Sequence, residues 1–355
     1  MINLDLSSRA LISGLGYNEG IVVRPEKSGG NNKVFILEWE GMPKYVLKQY
    51  FRHPLDQRDR FGAEWMFLNY ADSVGVSCVP KPKVCDSEQG IAIMEYIPGH
   101  KISSDGLQDS HVMQAIEFIE ALNMQKIKSN TGSLPPASEA CFSMRDHLES
   151  VERRIGRLKK IRIGSDIDHK AEEFVRLELI PLWEEIKTRI LALAQDRGID
   201  LDMRLLEGDT IVSPSDFGFH NAIASPEGRV FFIDFEYAGM DDPVKMIADF
   251  FCQPSVPVSL SYLPAFATRV LGRLENPERD LFRLQMLFPV HALKWCCIML
   301  NEFLPVGEDR RRFADAGLDI NEVKKIQLNK ARTFYSTIEK RRQNVESLLK
   351  LEALP

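Results

Sequence analysis

The hydrophobic pattern changes character near residue 100. Before that point, short apolar runs alternate with turn residues, and the runs 34–37 and 45–47 flank the segment EWEGMPK. Gly41 and Pro43 in that segment suit a hairpin connection between two strands. A further run, GIAIMEYIPG, is typical of a short buried strand that ends at a Pro-Gly pair. The first hundred residues therefore predict a sheet.

Helical spacing dominates the rest of the chain. Within the sheet region, DRFGAEWMFLNYADSVG already spaces its apolar residues as a helix does, which gives the order strand, strand, helix, strand. Beyond it, SHVMQAIEFIEALNMQ and HLESVERRIGRLKKI are amphipathic helices. We expect further helices over about 170–196, 281–303 and 320–350, the second kinked or broken near Pro289.

This change in pattern predicts an α+β fold of two lobes. Residues 1–97 form a small strand-rich lobe, and residues 98–355 form a larger, mainly helical lobe. Residues 97–101 link them, and a cleft between the lobes is the natural place for a ligand.

Composition and charge narrow the classes of function. The net charge of −6 over 355 residues argues against a general nucleic-acid binder, which needs surplus Lys and Arg. No stretch of about 18 uncharged apolar residues occurs, and the N-terminus lacks the pattern of a signal peptide. We therefore expect a cytoplasmic protein without a membrane partner. The six cysteines lack metal-ligand spacing and are expected to be reduced thiols.

A Gly/Asn-rich turn is the first candidate for chemistry. In SGGNNKVF, Gly29 and Gly30 allow close approach of the backbone to a phosphate, while Asn31 and Asn32 tolerate turn conformations. A plain hairpin turn would have the same composition. The segment alone does not decide between these interpretations.

A lysine and a glutamate form the second candidate. Lys48 follows Tyr-Val-Leu on a predicted strand, and Glu64 lies 16 residues later on the predicted helix. If paired, Glu64 would hold the Lys48 ammonium against nucleotide phosphates. Taken one at a time, such charged side chains more often face water.

Residues 213–234 carry a more specific signal. Asp216 and Asn221 lie five positions apart in SPSDFGFHNAI, and Asp234 follows the apolar strand RVFFI. In phosphoryl transfer, Asp216 would accept the proton of an acceptor hydroxyl while Asn221 and Asp234 bind magnesium. Turn and capping chemistry explain neither the spacing nor the second Asp. We expect Lys48 to share one cleft with these three residues.

The ordered motifs GGNNKVF, VLK, Glu64, IMEYIPG, SDFGFHN, IDFEYAGMDDP and MIADF resemble those of the aminoglycoside phosphotransferase and choline kinase superfamily. The resemblance covers most of the chain. It implies a bilobal protein-kinase-like fold and transfer of the γ-phosphate to a hydroxyl of a small molecule. ATP, with GTP as an alternative, and Mg²⁺ are the implied cofactors.

The resemblance also implies roles for single residues. Lys48 would bind the phosphates with Glu64 as its partner, and the backbone from Glu95 to Ile97 would bind adenine. Asp216 would be the catalytic base, with Asn221 and Asp234 on magnesium. Asp249 in MIADF matches a carboxylate that supports the catalytic loop in relatives.

The chain departs from the family in the catalytic loop. Relatives usually place a His two residues before the catalytic Asp, where this chain has Pro214 and Ser215. His220 is a candidate to compensate, and Phe217 with Phe219 would pack where that His would have packed. All groups that carry the chemistry are retained.

The acceptor is not defined by the sequence. The acidic stretch EYAGMDD would suit a cationic aminoglycoside, although Asp241 and Asp242 would equally cap the next helix. The basic segment 153–162 is either a solvated helix face or a site for an anionic acceptor. A nucleotide-binding scaffold without activity and a protein kinase are the alternatives. The short segment after Asp234 leaves little room for the activation segment of a protein kinase.

Overall fold

In the N-terminal part, a five-stranded antiparallel sheet packs with two helices. The computed structural model describes residues 6–16, 20–26, 32–54, 56, 58–124, 134–314, 317 and 319–349. The strands are β1 (Ile21–Glu26), β2 (Lys33–Trp39), β3 (Met42–Gln49), β4 (Pro82–Asp86) and β5 (Ile91–Glu95), in the order β1-β2-β3-β5-β4. The helices are α1 (Leu6–Gly14) and α2 (Arg60–Ser73).

The predicted hairpin is confirmed as β2 and β3, in which Trp39 lies opposite Met42. Glu40 and Gly41 form the turn with φ of 51° and 76°, the positive values that two-residue hairpin turns favour. Pro43 is already part of β3. The expected order of elements was incomplete, because strands β1 and β4 were not predicted.

The two faces of the sheet serve different cores. Side chains alternate along β5, so Ile91 and Ile93 pack in a small cluster with Ile12 of α1, whereas Ala92 joins the main core. Lys48 on β3 lies opposite Ala92 in the β3–β5 register. Cross-strand partners point to the same face, so Lys48 is directed toward the main core and away from α1.

The rest of the described chain is mainly helical, which confirms the α+β, two-part fold. Its helices are α3 (Asp109–Met124), α4 (Met144–Leu158), α5 (Asp166–Phe174), α6 (Ile180–Asp196), α7 (Pro243–Cys252), α8 (Leu263–Leu271), α9 (Pro277–Met299), α10 (Pro305–Ala314), α11 (Ile320–Tyr335) and α12 (Ile338–Leu348). Its short strands are β6 (His100–Lys101), β7 (Ile211–Ser213), β8 (Ala222–Ala224), β9 (Val230–Phe232) and β10 (Gly239–Asp241). They pair as β6-β8-β9 and β10-β7.

Helix boundaries differ from expectation in two places. Helix α9 continues through Pro289, so the expected break is wrong. Pro289 and its neighbours Phe288 and Val290 are buried, and α9 packs against α4, α7, α11 and α12. This packing holds the helix together although proline removes one hydrogen bond. The region 320–350 forms two helices, which separate at Ser336 and Thr337.

The linker between the two parts pairs with the strand that follows Asn221. Strand β6, which follows Gly99, pairs with β8, placing His100 opposite Ala224. Gly99 has a φ of 149°, and a Cβ there would lie 2.2 Å from the Ala224 carbonyl oxygen. Only glycine allows this close approach.

Among the described residues, no single helix is both long and apolar enough to cross a bilayer. The bent pair Pro277–Phe303 and Pro305–Phe313 meets that length and composition only when its two helices are counted together across a 76° bend. All six cysteines are free thiols.

Candidate active site

The site is built around Lys48. Its Nζ donates to Glu64 Oε2 at 2.6 Å and also forms an ion pair with Asp234, 186 residues away along the chain. Lys48 is only 6% exposed and Glu64 only 1%. Burial alone would lower the pKa of Lys48, but the Asp234 and Glu64 carboxylates outweigh burial and raise it. The ammonium is therefore held charged between two carboxylates.

Glu64 ties the sheet to the segment that follows Asp234. Besides Lys48, it accepts a hydrogen bond from the Tyr50 hydroxyl at 2.7 Å and from the Phe235 amide at 3.2 Å. Burial raises the pKa of Glu64, and the positive charge of Lys48 opposes that shift. Three donors thus fix the carboxylate that orients Lys48.

Asp234 directly follows the β9 strand and Ile233. Its φ of 69° lies in the left-handed region, which is uncommon for a residue other than glycine. The Ile233 amide donates to the Asn221 carbonyl at 2.9 Å, so Asp234 and Asn221 are held next to each other. A backbone conformation that costs free energy is common where a side chain must be aimed at a ligand.

The loop between β7 and β8 carries Asp216 and Asn221. The Asn221 amide nitrogen donates to the Asp216 backbone carbonyl at 3.0 Å, which fixes the Asn221 side chain across the loop. Because this bond uses the nitrogen, the amide oxygen is the atom suited to a metal. Ser215, just before Asp216, has a φ of 65° and turns the chain sharply there. Asp216, Asn221 and Asp234 all line one cavity.

His220 lies against the predicted base, since its Nε2 is 3.2 Å from Asp216 Oδ1. Burial alone would lower the pKa of His220, but the Asp216 carboxylate raises it above the ordinary value. Phe217 and Phe219 are buried, with ring centroids 4.9 Å and 5.7 Å from that of Phe250. They anchor the loop in the core, while His220 contacts Asp216 from the loop itself.

The oxygen donors fit a magnesium ion that is shared with a nucleotide. The described residues contain no group of three or more His, Cys, Asp and Glu side chains that could hold a metal by themselves. Asp234 and Asn221 supply a carboxylate and an amide oxygen. Mg²⁺ typically takes one or two carboxylates and completes its shell with phosphate oxygens and water.

The other predicted nucleotide contacts are only partly visible. Gly29, Gly30 and Asn31 lie outside the described residues. The Asn32 side chain is buried, donating to Glu236 Oε2 at 2.5 Å and accepting from the Phe51 amide at 3.0 Å. Its predicted contact with a nucleotide therefore rests on its backbone. Glu95 ends β5 and Ile97 lies in the linker, as an adenine-binding segment requires; their roles stay predictions.

Asp249 has a different setting from the one that the resemblance implied. Its carboxylate accepts from Lys294 Nζ at 2.6 Å and from Trp295 Nε1 at 3.1 Å, both on α9. Within the described part of the chain, its hydrogen bonds thus run to α9 and not to the catalytic loop. Asp249 also lines the cavity.

Sequence reasoning missed Glu236, two residues after Asp234. Glu236 is 1% exposed and accepts from Asn32 and from Arg60 Nη1, the latter at 2.9 Å. It links the start of β2 and the start of α2 to the Asp234 segment. The acidic residue in IDFEYAG can be read from the sequence, but its partners Asn32 and Arg60 lie 204 and 176 residues away along the chain, so no local pattern indicates its role.

The cavity beside these residues has a volume of about 380 Å³, within the range of small-molecule sites. We call Asp216, His220, Asn221 and Asp234 the catalytic group of its lining. A second set of lining residues, which we call the basic group, comprises Arg58, Arg154, Lys245, Lys294, Arg311 and Lys330. Sequence reasoning did not predict this second set as a unit.

The class of protein follows from the match of residues 22–255 to the phosphotransferase enzyme family. The match covers well over half of the chain, and the chain belongs to this family. It includes Lys48, Glu64 and all of the catalytic group. No curated protein matches the sequence significantly.

Solved structures with the same fold cover nearly the whole chain. A choline/ethanolamine kinase family protein from Mesorhizobium loti is 15% identical with a TM-score of 0.57, over 97% of this chain and 98% of the other. Choline kinase LicA from Streptococcus pneumoniae is 15% identical with a TM-score of 0.56, over 93% and 99%. The gentamicin complex of APH(2")-IIa is 17% identical with a TM-score of 0.55, over 95% and 97%. These similarities establish a protein-kinase-like fold.

Proposed function

We propose that this protein transfers the γ-phosphate of ATP to a hydroxyl group of a small molecule. The observation that carries the proposal is the convergence of Lys48, Asp216, Asn221 and Asp234, which are up to 186 residues apart, beside one cavity. Family membership supports the same class of reaction. The two ion pairs of Lys48 would stabilise the fold without a cavity beside them, so the cavity supports a binding role for this cluster.

Each residue has one task in the proposed reaction. Lys48 binds phosphate oxygens and stabilises the charge that develops on the transferred group. Asp216 orients the acceptor hydroxyl and takes its proton as the new oxygen–phosphorus bond forms and the bond to the β–γ bridging oxygen breaks. Asn221 and Asp234 would hold Mg²⁺, which neutralises phosphate charge when it is bound. ADP leaves.

ATP, with GTP as the alternative, and Mg²⁺ are therefore the proposed cofactors, and the cytoplasm is the proposed location. LicA has been crystallised with AMP and APH(2'')-Ib with ADP. The proposed partner is a small molecule with a hydroxyl group, and neither nucleic acid nor membrane takes part. Among sugars, amino alcohols and aminoglycosides, the neighbours named for choline and gentamicin give precedents for the last two.

A catalytically silent nucleotide-binding scaffold is the second candidate. It is disfavoured because Lys48, Asp216, Asn221 and Asp234 are all retained. A protein kinase is disfavoured because α7 begins at Pro243, which leaves a short connection after Asp234.

ADP formation measured with a panel of sugars, amino alcohols and aminoglycosides separates these candidates. A phosphotransferase shows turnover that depends on both the acceptor and Mg²⁺. A protein that binds MgATP but turns over no acceptor in the panel would favour the scaffold.

A further inference from the structure

The lining of the cavity carries an unusual balance of charge outside the catalytic group. The basic group supplies six cations, whereas the remaining carboxylates of the lining are three, namely Glu139, Asp249 and Glu302. Lysines and arginines come together here from α4, α7, α9, α10 and α11 and from the segment before α2. Five helices thus direct positive charge into one cavity.

Each of the three carboxylates is already paired with one cation of the basic group. Glu139 pairs with Arg154, Asp249 with Lys294 at 2.6 Å, and Glu302 with Arg311 at 2.8 Å. These pairs neutralise half of the cations.

The other three cations form no ion pair with a carboxylate of the lining. Lys245 pairs with Asp241 and Arg58 pairs with Asp56 at 2.6 Å, and neither carboxylate belongs to the lining. Lys330 on α11 makes no ion pair within the described part of the chain. Lys330 is therefore the cation with the most freedom to meet a ligand.

The surroundings of Glu139 report the same excess of positive charge. Burial alone would raise the pKa of Glu139, but Arg154, Lys294, Arg157 and Arg58 outweigh it and lower the pKa to about 2. Burial and the nearby charges of Arg154 and Arg58 also lower the pKa of Arg157, as expected where cations crowd together. One carboxylate is thus shared by several cations.

Arg154, which lies among these cations, has a hydrogen-bond donor without a partner in the described part of the chain. Its side chain is 11% exposed, and its Nε is buried with no hydrogen-bond partner among the described residues. A buried donor left unpaired destabilises the fold, so such groups are usually satisfied by a ligand or water. Arginine is also the side chain best suited to bind phosphate or carboxylate through two parallel hydrogen bonds.

We propose that the acceptor carries an anionic group, a phosphate or a carboxylate, in addition to the hydroxyl that receives the phosphoryl group, and that Arg154 and Lys330 bind this anion. The proposal rests on the proposed function, because it names the class of acceptor for the same cavity. A cationic acceptor such as choline would be repelled by the basic group. The two interpretations of the basic segment 153–162 apply to different residues. Arg154 lines the cavity, whereas Arg153 pairs with Glu149 on the exposed face of α4.

A binding experiment tests the acceptor class apart from catalysis. The full chain is first titrated with MgADP by calorimetry, which fills the nucleotide site and tests the proposed function by itself. The saturated protein is then titrated with glycerol 3-phosphate, glycerate, glycerol and choline. We expect saturable binding of at least one of the two anions and none of glycerol or choline. The two anions distinguish a phosphate from a carboxylate.

Matched variants localise the binding. Lys330→Gln should weaken anion binding roughly tenfold and Arg154→Gln roughly tenfold to 100-fold, the range for one charged hydrogen-bonding partner. The controls are Lys325→Gln on the same helix as Lys330 and Arg153→Gln beside Arg154, with side chains 63% and 58% exposed. Both controls should bind the anion as the unmodified protein does. Because Arg154→Gln removes the nearest cation from Glu139, Lys330→Gln serves as the test that does not disturb a buried pair.

The outcomes separate the two proposals. If MgADP binds and the protein phosphorylates choline or a neutral polyol without binding either anion, the phosphotransferase stands and the anionic acceptor is overturned. Anion binding that the control variants weaken as much as Lys330→Gln and Arg154→Gln do would also overturn it. Absence of binding of both MgADP and MgGDP overturns both proposals.

Discussion

The catalytic group and the basic group line the same cavity with opposite charge. Around the catalytic group, the buried Glu64 adds a third carboxylate to those of Asp216 and Asp234, and Lys48 is the counterion of Glu64 and Asp234. In the basic group, six cations meet three carboxylates of the lining. Within the lining, positive charge is therefore scarce at the catalytic group and abundant at the basic group, although Asp241 and Asp56 pair with Lys245 and Arg58 from outside the lining.

This difference shows how one cavity can serve two ligands. A surplus of carboxylate attracts a divalent metal, which in turn allows a polyphosphate to bind beside it. A surplus of Lys and Arg attracts an anion directly. The net charge of −6 for the whole chain predicts neither arrangement, since each depends on which side chains the fold brings together.

The largest expected effect is a loss of turnover when the residue proposed to activate the acceptor hydroxyl is changed. Asp216→Asn keeps the size of the side chain but removes the proposed base, so turnover should fall roughly 100-fold to 10,000-fold. Affinity for MgATP should change little, because Asp216 is not assigned to the nucleotide. Steady-state rates and nucleotide titrations on the same preparation measure both quantities. Loss of nucleotide binding in this variant would contradict the assignment.

A comparable loss of rate should follow removal of the central cation. Lys48→Ala removes the charge that is proposed to stabilise the transferred phosphoryl group, so turnover at saturating ATP should fall roughly 100-fold to 1,000-fold. Lys44→Ala is the matched control, because Lys44 is exposed on the same strand. Turnover that is unchanged for Lys48→Ala would refute its role.

Asp234→Asn should act on the nucleotide instead. The change removes a proposed magnesium ligand and one of the two carboxylates that hold Lys48. Binding of MgATP should weaken by roughly tenfold or more, while binding without magnesium changes less. Titrations with and without Mg²⁺ distinguish these cases. If Asp234→Asn kept nucleotide binding while Asp216→Asn lost it, the two carboxylates would have been assigned the wrong way round.

The smallest expected effect concerns His220. Asp216 raises the pKa of His220, so protonation of this side chain stabilises the folded state. That contribution is fully present below the unfolded pKa of about 6.5 and is lost as the pH rises through the higher folded value. The stability of the unmodified protein relative to His220→Gln should therefore be greater near pH 5.5 than near pH 9, by about 2 °C in Tm. Thermal unfolding of both proteins at the two pH values measures the difference. An equal or reversed difference would contradict the contact.

Sequence reasoning predicted the shared location of Asp216, Asn221 and Asp234 better than it predicted their surroundings. Asp216, Asn221 and Asp234 lie within 19 positions of each other. Turn and capping chemistry do not explain their spacing around apolar strands, whereas phosphoryl transfer does. The Lys48–Glu64 pair was likewise predicted from a strand and the next helix, and the ion pair is present. These signals are local or nearly so.

The remaining features depend on contacts between distant segments. Arg154 and Lys330 line one cavity only because α4 and α11 both lie against α9. Each lysine or arginine, taken alone on an amphipathic helix, is typical of a solvated face. Helix α9 also continues through Pro289, because tertiary packing outweighs the local preference of proline. No local pattern in the sequence contains that information.

Glu236 and Glu64 have a consequence for dividing the chain into pieces. Glu64 accepts from the Phe235 amide, and Glu236 binds Arg60 at the start of α2. A fragment that ended near residue 97 would keep Arg60 and Glu64 but lose these partners, and would expose or strand their buried charges. The linker is a convenient border for describing the molecule, but it is a poor place for truncation. We therefore expect neither portion to be an autonomous module that could be transplanted, because Arg60, Glu64 and Glu236, each only 1% exposed, find partners across the border.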